Sequence, residues 1–253
     1  MSKKKLIFNA DDFGLSKGVN LGIIEAYQKG PVRSATMMAG GAGFDHAVAL
    51  VKANPKLQVG IHLTLTAGYS LGKGYKTIGT GDGRFLPLLE MEKRAKAGVI
   101  DLTEVEAEYE LQIQKILSAG IWPTHFDSHH HTHHLPGIFD VFIKMAQKYE
   151  ISTVRMYDKA MLAAKATSIQ TADIFVDGFY GDGVTIENLK ALICDTKGKS
   201  IEVMLHPAYM DVGLYQASSY NIKRIFELDI LTSKELQVFL EKETYQVCSF
   251  SDL

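Results

Sequence analysis

The chain is 253 residues long, a length that suits one α/β domain. With 46% apolar and 22% charged residues it carries the core of an ordinary globular protein, not the composition of a disordered or fibrous one. A net charge of −2 and a pI near 6.5 argue against a nucleic-acid partner, and the lack of any apolar run of ~18 residues argues against a membrane span.

Apolar runs of strand length alternate with amphipathic runs of helical period. Leu6–Phe8 reads as a buried strand. Ser16 then caps a helix to about Lys29, with Leu21, Ile24 and Tyr27 on one face and Gly30-Pro31 closing it. Ala35–Ala39 is a second strand, a helix follows near Asp45–Ala53, and Leu57–Leu65 is a third strand. Leu111, Ile113, Ile116 and Leu117 belong to a helix opened by a capping box from Thr103 to Glu106 and closed by Gly120. Thr124–Asp127 is a short strand, followed by a helix at Ile138–Tyr149. Strands near Thr153–Met156, Ile174–Val176 and Ser200–Leu205 come next, with a helix at Ile186–Thr196 between the last two. Thr232 and Glu235 form a second capping box before a final helix, and Tyr245–Phe250 is a last strand.

This alternation predicts a parallel sheet of about seven strands, curled into a distorted (β/α) barrel, in a single domain over 1–253. Ala67–Gly98 interrupts it with six glycines between Gly68 and Gly83, which reads as a lid or insertion extending to about residue 102. Asp158–Thr171 is a second candidate loop. Cys194 and Cys248 are too few for a disulfide framework. Strand one begins so close to Met1 that no cleaved leader is expected, and a reducing cytoplasm is the expected compartment.

Active sites in such folds gather at the carboxyl ends of the strands. Four strand ends here carry residues that bind metals. Asp11-Asp12 follow the first strand, His62 lies on the third, His125–His134 follows the fourth, and His206 follows Ser200–Leu205. Six of the nine histidines fall between His125 and His134, in the interior of the chain where no purification tag would sit. Each feature alone has a plainer reading: Asp11-Asp12 as a turn ahead of the helix, His62 as a hydrogen-bonded core group. Together they predict a catalytic metal site with Asp and His ligands and one open position. Neighbouring strand residues face opposite ways, so one aspartate can bind metal while the other serves as a base.

The same stretches carry a family resemblance. Asn9–Lys17 (NADDFGLSK), Gly22–Ala26 (GIIEA), Asp45–Val48 (DHAV), Pro123–His134 (PTHFDSHHHTHH), Glu202–Ala208 (EVMLHPA) and Leu228–Ser233 (LDILTS) closely resemble the YdjC-like carbohydrate deacetylases, and among them those acting on chito-oligosaccharides. The likeness runs from Asn9 to the C-terminus and is weakest over Ala67–Leu102. It implies a distorted barrel, a divalent metal, and hydrolysis of an N-acetyl group from chito-oligosaccharides such as diacetylchitobiose, free or phosphorylated. Carried over position by position, it implies Asp12, His62 and His129 as metal ligands, Asp11 as general base and His206 as proton donor. Ala208 stands where some relatives carry Gly after His-Pro, a change that leaves the chemistry intact.

Around these, Asp127 and His131 are candidates to orient the ligands, and Arg155 to steady Asp11 or a sugar hydroxyl. Tyr69, Tyr75, Phe85 and Tyr180 are candidates to stack on pyranose rings. Two imidazoles and one carboxylate suit zinc, cobalt or manganese better than magnesium, whereas the resemblance implies magnesium. Two rivals stand beside the deacetylase. A metal-dependent phosphoester hydrolase usually wants two metals and more carboxylates. A non-catalytic sugar-binding protein needs neither Asp11 beside Asp12 nor His206 on a distant strand end. The expected partner is a small N-acetylated oligosaccharide, and a homodimer is left open.

Overall fold

The computed structural model describes residues 3–242 and 245–253. Its strands are β1 (Lys4–Phe13), β2 (Ser34–Met37), β3 (Gln58–Leu63), β4 (Phe126–Ser128), β5 (Ile174–Val176), β6 (Ser200–Leu205) and β7 (Tyr245–Cys248). The helices are α1 (Lys17–Lys29), α2 (Phe44–Ala53), α3 (Leu88–Lys96), α4 (Leu102–Ser118), α5 (Ile138–Lys148), α6 (Lys159–Lys165), α7 (Ile186–Asp195), α8 (Val212–Ala217), α9 (Lys223–Thr232) and α10 (Lys234–Lys242).

Six strands run in the order β4-β3-β2-β1-β6-β5, and every ladder is parallel. β1 is the centre. β6 pairs along one of its sides, while the other side is shared: Lys4–Ile7 meet β7, and Asn9–Phe13 meet β2. The sheet curls, and between β4 and β5 single bridges replace a ladder, Phe126 to Val154 and Thr153 to Gln170. This is the expected distorted β/α barrel, although its seventh strand is β7 at the base, and Thr153–Met156 contributes only bridges. No helix among the described residues is long and apolar enough to cross a membrane.

Strand periodicity decides what fills the barrel. On β1, Leu6, Phe8 and Ala10 join the main apolar core under the helices, whereas Ile7 packs with Cys248 and Phe250 inside the base. Asn9 and Asp11 continue the inward row above Ile7. Ala35 and Met37, Val59 and Ile61, Phe126, and Ile201, Val203 and Leu205 likewise join that core. Their alternates Thr36, His62, Asp127 and Glu202 are buried polar groups that bond to one another or to Arg155. The barrel therefore has a greasy outside, a small apolar plug at its base and a polar upper half. Gly60 makes room for this filling, since a Cβ there would stand 2.4 Å from the His125 carbonyl oxygen and 2.7 Å from its ring.

Several local expectations need correction. Ser16 does cap α1, accepting from Val19 N at 3.2 Å. The cap of α4 is Asp101, which takes both the N–H and the hydroxyl of Thr103, while Glu106 turns out to Lys144. A carboxylate just ahead of the first turn outcompetes a hydroxyl two residues inside it. For α10 the hydroxyl that accepts from Leu236 N is that of Ser233; Thr232 Oγ1 bonds back to Leu228 O within α9. The excursion Ala67–Gly98 is not irregular throughout. It contains α3 and two antiparallel bridges, and Glu108 and Glu104 of α4 accept four of its backbone N–H groups at 2.7–3.0 Å. The loop expected over Asp158–Thr171 holds α6.

Candidate active site

The upper end of the barrel opens into a cleft of about 320 Å³. Asp11, Asp12, His62, His129, His131, Tyr180 and His206 all line it. Three of these converge. Asp12 Oδ1 lies 2.9 Å from His129 Nδ1 and 3.3 Å from His62 Nε2, and the two ring nitrogens are 3.3 Å apart. Atoms that share one small cation sit about this far apart, since each stands near 2.1 Å from it. Asp12 reaches this place through a left-handed backbone, φ +66°, at the end of β1. That conformation is uncommon for a residue with a side chain, though Asp tolerates it better than most.

His62 is fixed from behind. Its Nδ1 is 2.7 Å from Asp127 Oδ1, and His62 and Asp127 are partners in the β3–β4 register. Thr36 Oγ1 donates to Asp127 Oδ2 at 3.0 Å. A carboxylate behind a ligating imidazole fixes its tautomer and raises its basicity. Burial disfavours a charged His62, but Asp127 and Asp12 outweigh it and raise its pKa to about 10.

Asp11 is held differently. Arg155 donates to both of its oxygens, at 2.6 and 2.7 Å, and Asn9 Nδ2 donates at 2.9 Å. Arg155 also meets Asp127 Oδ2 at 3.0 Å and gives Nε to Glu202 at 2.6 Å. One guanidinium with no solvent exposure thus orders three carboxylates. Burial pushes the Asp11 carboxyl up, yet Arg155 overrides it and holds the group well below the usual range, so it is ionised. Asp11, His62 and Asp127 also offer ligand atoms close enough for a cation. Arg155 takes both oxygens of Asp11, whereas Asp12 keeps Oδ1 facing the two imidazoles, which leaves the Asp12 cluster as the better metal site.

The histidine run separates into one ligand candidate and five others. Left-handed residues at His130 (φ +54°) and His131 (φ +53°) turn the chain sharply after His129. His130 Nδ1 meets Thr66 Oγ1, His133 spans Ser128 Oγ and the Arg155 carbonyl, and His125 meets Asn9 and stacks on Phe250. His131 contacts Tyr157 and Phe175 edge-on, and His134 packs against Tyr157. Burial holds all five rings neutral at pH 7.

His206 stands on another wall. Its Nδ1 is buried without a hydrogen-bond partner, 3.9 Å from Glu227 Oε1, and burial together with Arg224 pushes its pKa down to about 3. Tyr180 and Tyr220, stacked at 3.8 Å, both meet its ring edge-on. The backbone of His206 donates to Glu227 Oε2 at 2.5 Å, and Tyr220 gives its hydroxyl to Glu227 Oε1 at 2.5 Å. Arg224 donates Nη2 to Asp12 Oδ2 at 2.7 Å. Tyr220, Arg224 and Glu227 were missed by sequence reasoning, as were Asn9, Thr36 and Glu202. The inward period of β1, β2 and β6 would have found the last three.

The predicted sugar-stacking aromatics divide. Tyr180 lines the cleft. Tyr69 does not; it is 55% exposed and takes a hydrogen bond from Arg84. Tyr75 packs against the core and Phe85 is buried in it. Of the excursion, Leu88 is the residue that lines the cleft.

A family model for YdjC-like proteins matches residues 5–242. The chain belongs to the YdjC-like family. Within that family, it is 45% identical over 251 residues to carbohydrate deacetylase 1 of Listeria innocua, covering 98% of this chain and all of that protein. It is 39% identical over 253 residues to a carbohydrate deacetylase of Brevibacillus brevis, covering 98% and 99%. A solved structure from Enterococcus faecalis, described provisionally as a cellobiose-phosphate cleavage protein, aligns over 99% of both chains with a TM-score of 0.88 and 30% identity. An uncharacterised Agrobacterium tumefaciens protein shares the fold at a TM-score of 0.55 and 13% identity.

Proposed function

We propose that this protein is a metal-dependent carbohydrate deacetylase that removes the N-acetyl group from small chito-oligosaccharides, diacetylchitobiose among them. The observation that carries this reading is the convergence of Asp12, His62 and His129 on one point of a cleft that Asp11 and His206 also line. The names of the 38–45% identical relatives support the activity.

The donor set fits one divalent ion: three ligand atoms mutually about 3 Å apart, with a carboxylate behind one imidazole. Magnesium is what the sequence resemblance implies, and zinc, cobalt or manganese are what two imidazoles suit. When bound, such an ion polarises the amide carbonyl and lowers the pKa of water. Asp11, kept ionised and aimed by Arg155, takes the proton of the attacking water. His206 hands a proton to the departing nitrogen, which cannot leave as an anion. Its ring is neutral in the free protein, so the proton it hands on is the one the attacking water has released to Asp11. Tyr180, with Tyr220 stacked on it, offers a face for a pyranose ring. We assign residues 67–102 as a lid, a reading supported by Leu88, which lines the cleft. Hydrogen exchange across them should slow on adding a substrate analogue, and unchanged exchange at saturation removes that role.

The test of the activity is incubation with diacetylchitobiose, free and phosphorylated, and with p-nitrophenyl phosphate, each with and without chelator. Acetate release that the chelator abolishes is the expected result. Phosphate release instead points to a phosphoester hydrolase, and no release from any of them points to a binding protein.

A further inference from the structure

Asp12 spends its two oxygens on different partners. Oδ1 faces His62 and His129, while Oδ2 takes the 2.7 Å hydrogen bond from Arg224 Nη2. Arg224 is 2% exposed. Its Nε is tied to the Tyr220 carbonyl at 2.6 Å, so the guanidinium cannot swing away without losing both contacts. A buried carboxylate left free beside a dication can close on it through both oxygens, as carboxylates do at other metal sites. Here a charge-assisted hydrogen bond withholds one of them.

We propose that Arg224 restricts Asp12 to one-oxygen ligation of the metal. It is a positioning residue that lowers the affinity of the site and keeps positions on the ion open for water and substrate. The proposal rests on the metal-site reading above. Its physical content is a sign. Removing Arg224 deletes a positive charge close to the ion and frees Oδ2, so the metal should bind more tightly and react more slowly. If Arg224 merely braced Asp12, its loss would let the ligand drift, and the metal would bind more weakly.

The experiment compares the full chain with Arg224→Met and Arg224→Gln. Each is stripped with chelator and titrated with cobalt(II), following its visible absorption, and acetate release is measured at saturating metal. We expect Arg224→Met to bind cobalt on the order of tenfold more tightly than wild type, since a like charge a few ångströms from the ion has gone. Its absorption should be weaker, as a higher coordination number gives, and kcat should fall. Arg224→Gln, which is neutral but keeps a donor, should also bind more tightly; it decides the matter if the Met variant does not fold. Equal or weaker cobalt binding in the variants that fold overturns the proposal. Failure of the wild-type chain to take up cobalt, zinc or magnesium overturns the metal site itself, and the proposal with it.

Discussion

Two segments deliver side chains to the cleft, and they differ in how they announce themselves. The turn His129–His134 is conspicuous in the sequence, with five imidazoles in six positions. One of its rings joins the convergent triad; the others pack against aromatics or bond to Thr66, Ser128 and backbone. The segment from Ser218 to Glu227 is ordinary in the sequence. Yet it contributes Arg224 to Asp12, Glu227 to the backbone of His206, and Tyr220 to both Glu227 and the stacked pair with Tyr180. Density of ligand-type residues therefore located the site, but it did not rank the members. The family resemblance did that, by singling out His129.

The sharpest way to break this comparison is to mutate within the turn. His129→Ala should lose bound metal and essentially all activity, whereas His134→Ala should keep its metal by mass spectrometry. Equal metal content in the two variants would show that the turn does not divide as described. Next in size is Asp11→Asn, which keeps shape but not basicity. It should retain metal and lose roughly 10²-fold or more in kcat. If metal is lost from Asp11→Asn and kept by Asp12→Asn, the two aspartates have exchanged roles. Asp127→Asn leaves His62 without its carboxylate and should weaken metal affinity about 10- to 100-fold, as measured by chelator competition. The smallest effect tests the quiet segment. Burial raises the pKa of Glu227 to about 8 from a usual 4.5. The folded state thus holds this proton more tightly than the unfolded one, and wild-type stability should fall as pH rises through that window. Glu227→Gln cannot titrate, so its Tm relative to wild type should climb between pH 5 and pH 9. A constant difference would mean that Glu227 is not the buried acid described.

Much of the fold was legible because β6 and β5 read as apolar strands and Ser16 as an N-cap, and each is where the sequence put it. β1 was read too short. Its upper half, Asn9–Phe13, is polar on the inward face, and a buried polar face looks like a loop when only hydrophobicity is followed. α9 went unread because Ile222, Ile225 and Phe226 around its start are exposed, which blurs the apolar stripe. The candidate site was legible where residue type is diagnostic, as with histidine and paired aspartates. It was illegible where ordinary Arg, Glu and Tyr act through distance, as Arg224 does across more than two hundred residues of sequence. Arg155 lies between these cases. Its strand-end position suggested a link to Asp11, but nothing in sequence foretold that it would also collect Asp127 and Glu202.

The shared side of β1 has a bearing on how the chain comes together. β1 is the strand around which the sheet is organised, yet Lys4–Ile7 find their partner on that side only in β7, at Tyr245–Cys248. During synthesis β1 must wait, with unpaired backbone groups on that side and Ile7 uncovered, until β7 emerges about 230 residues later. Such a long-range closure is slow to find. The base of the barrel, rather than the rim around the cleft, is where its assembly should finish.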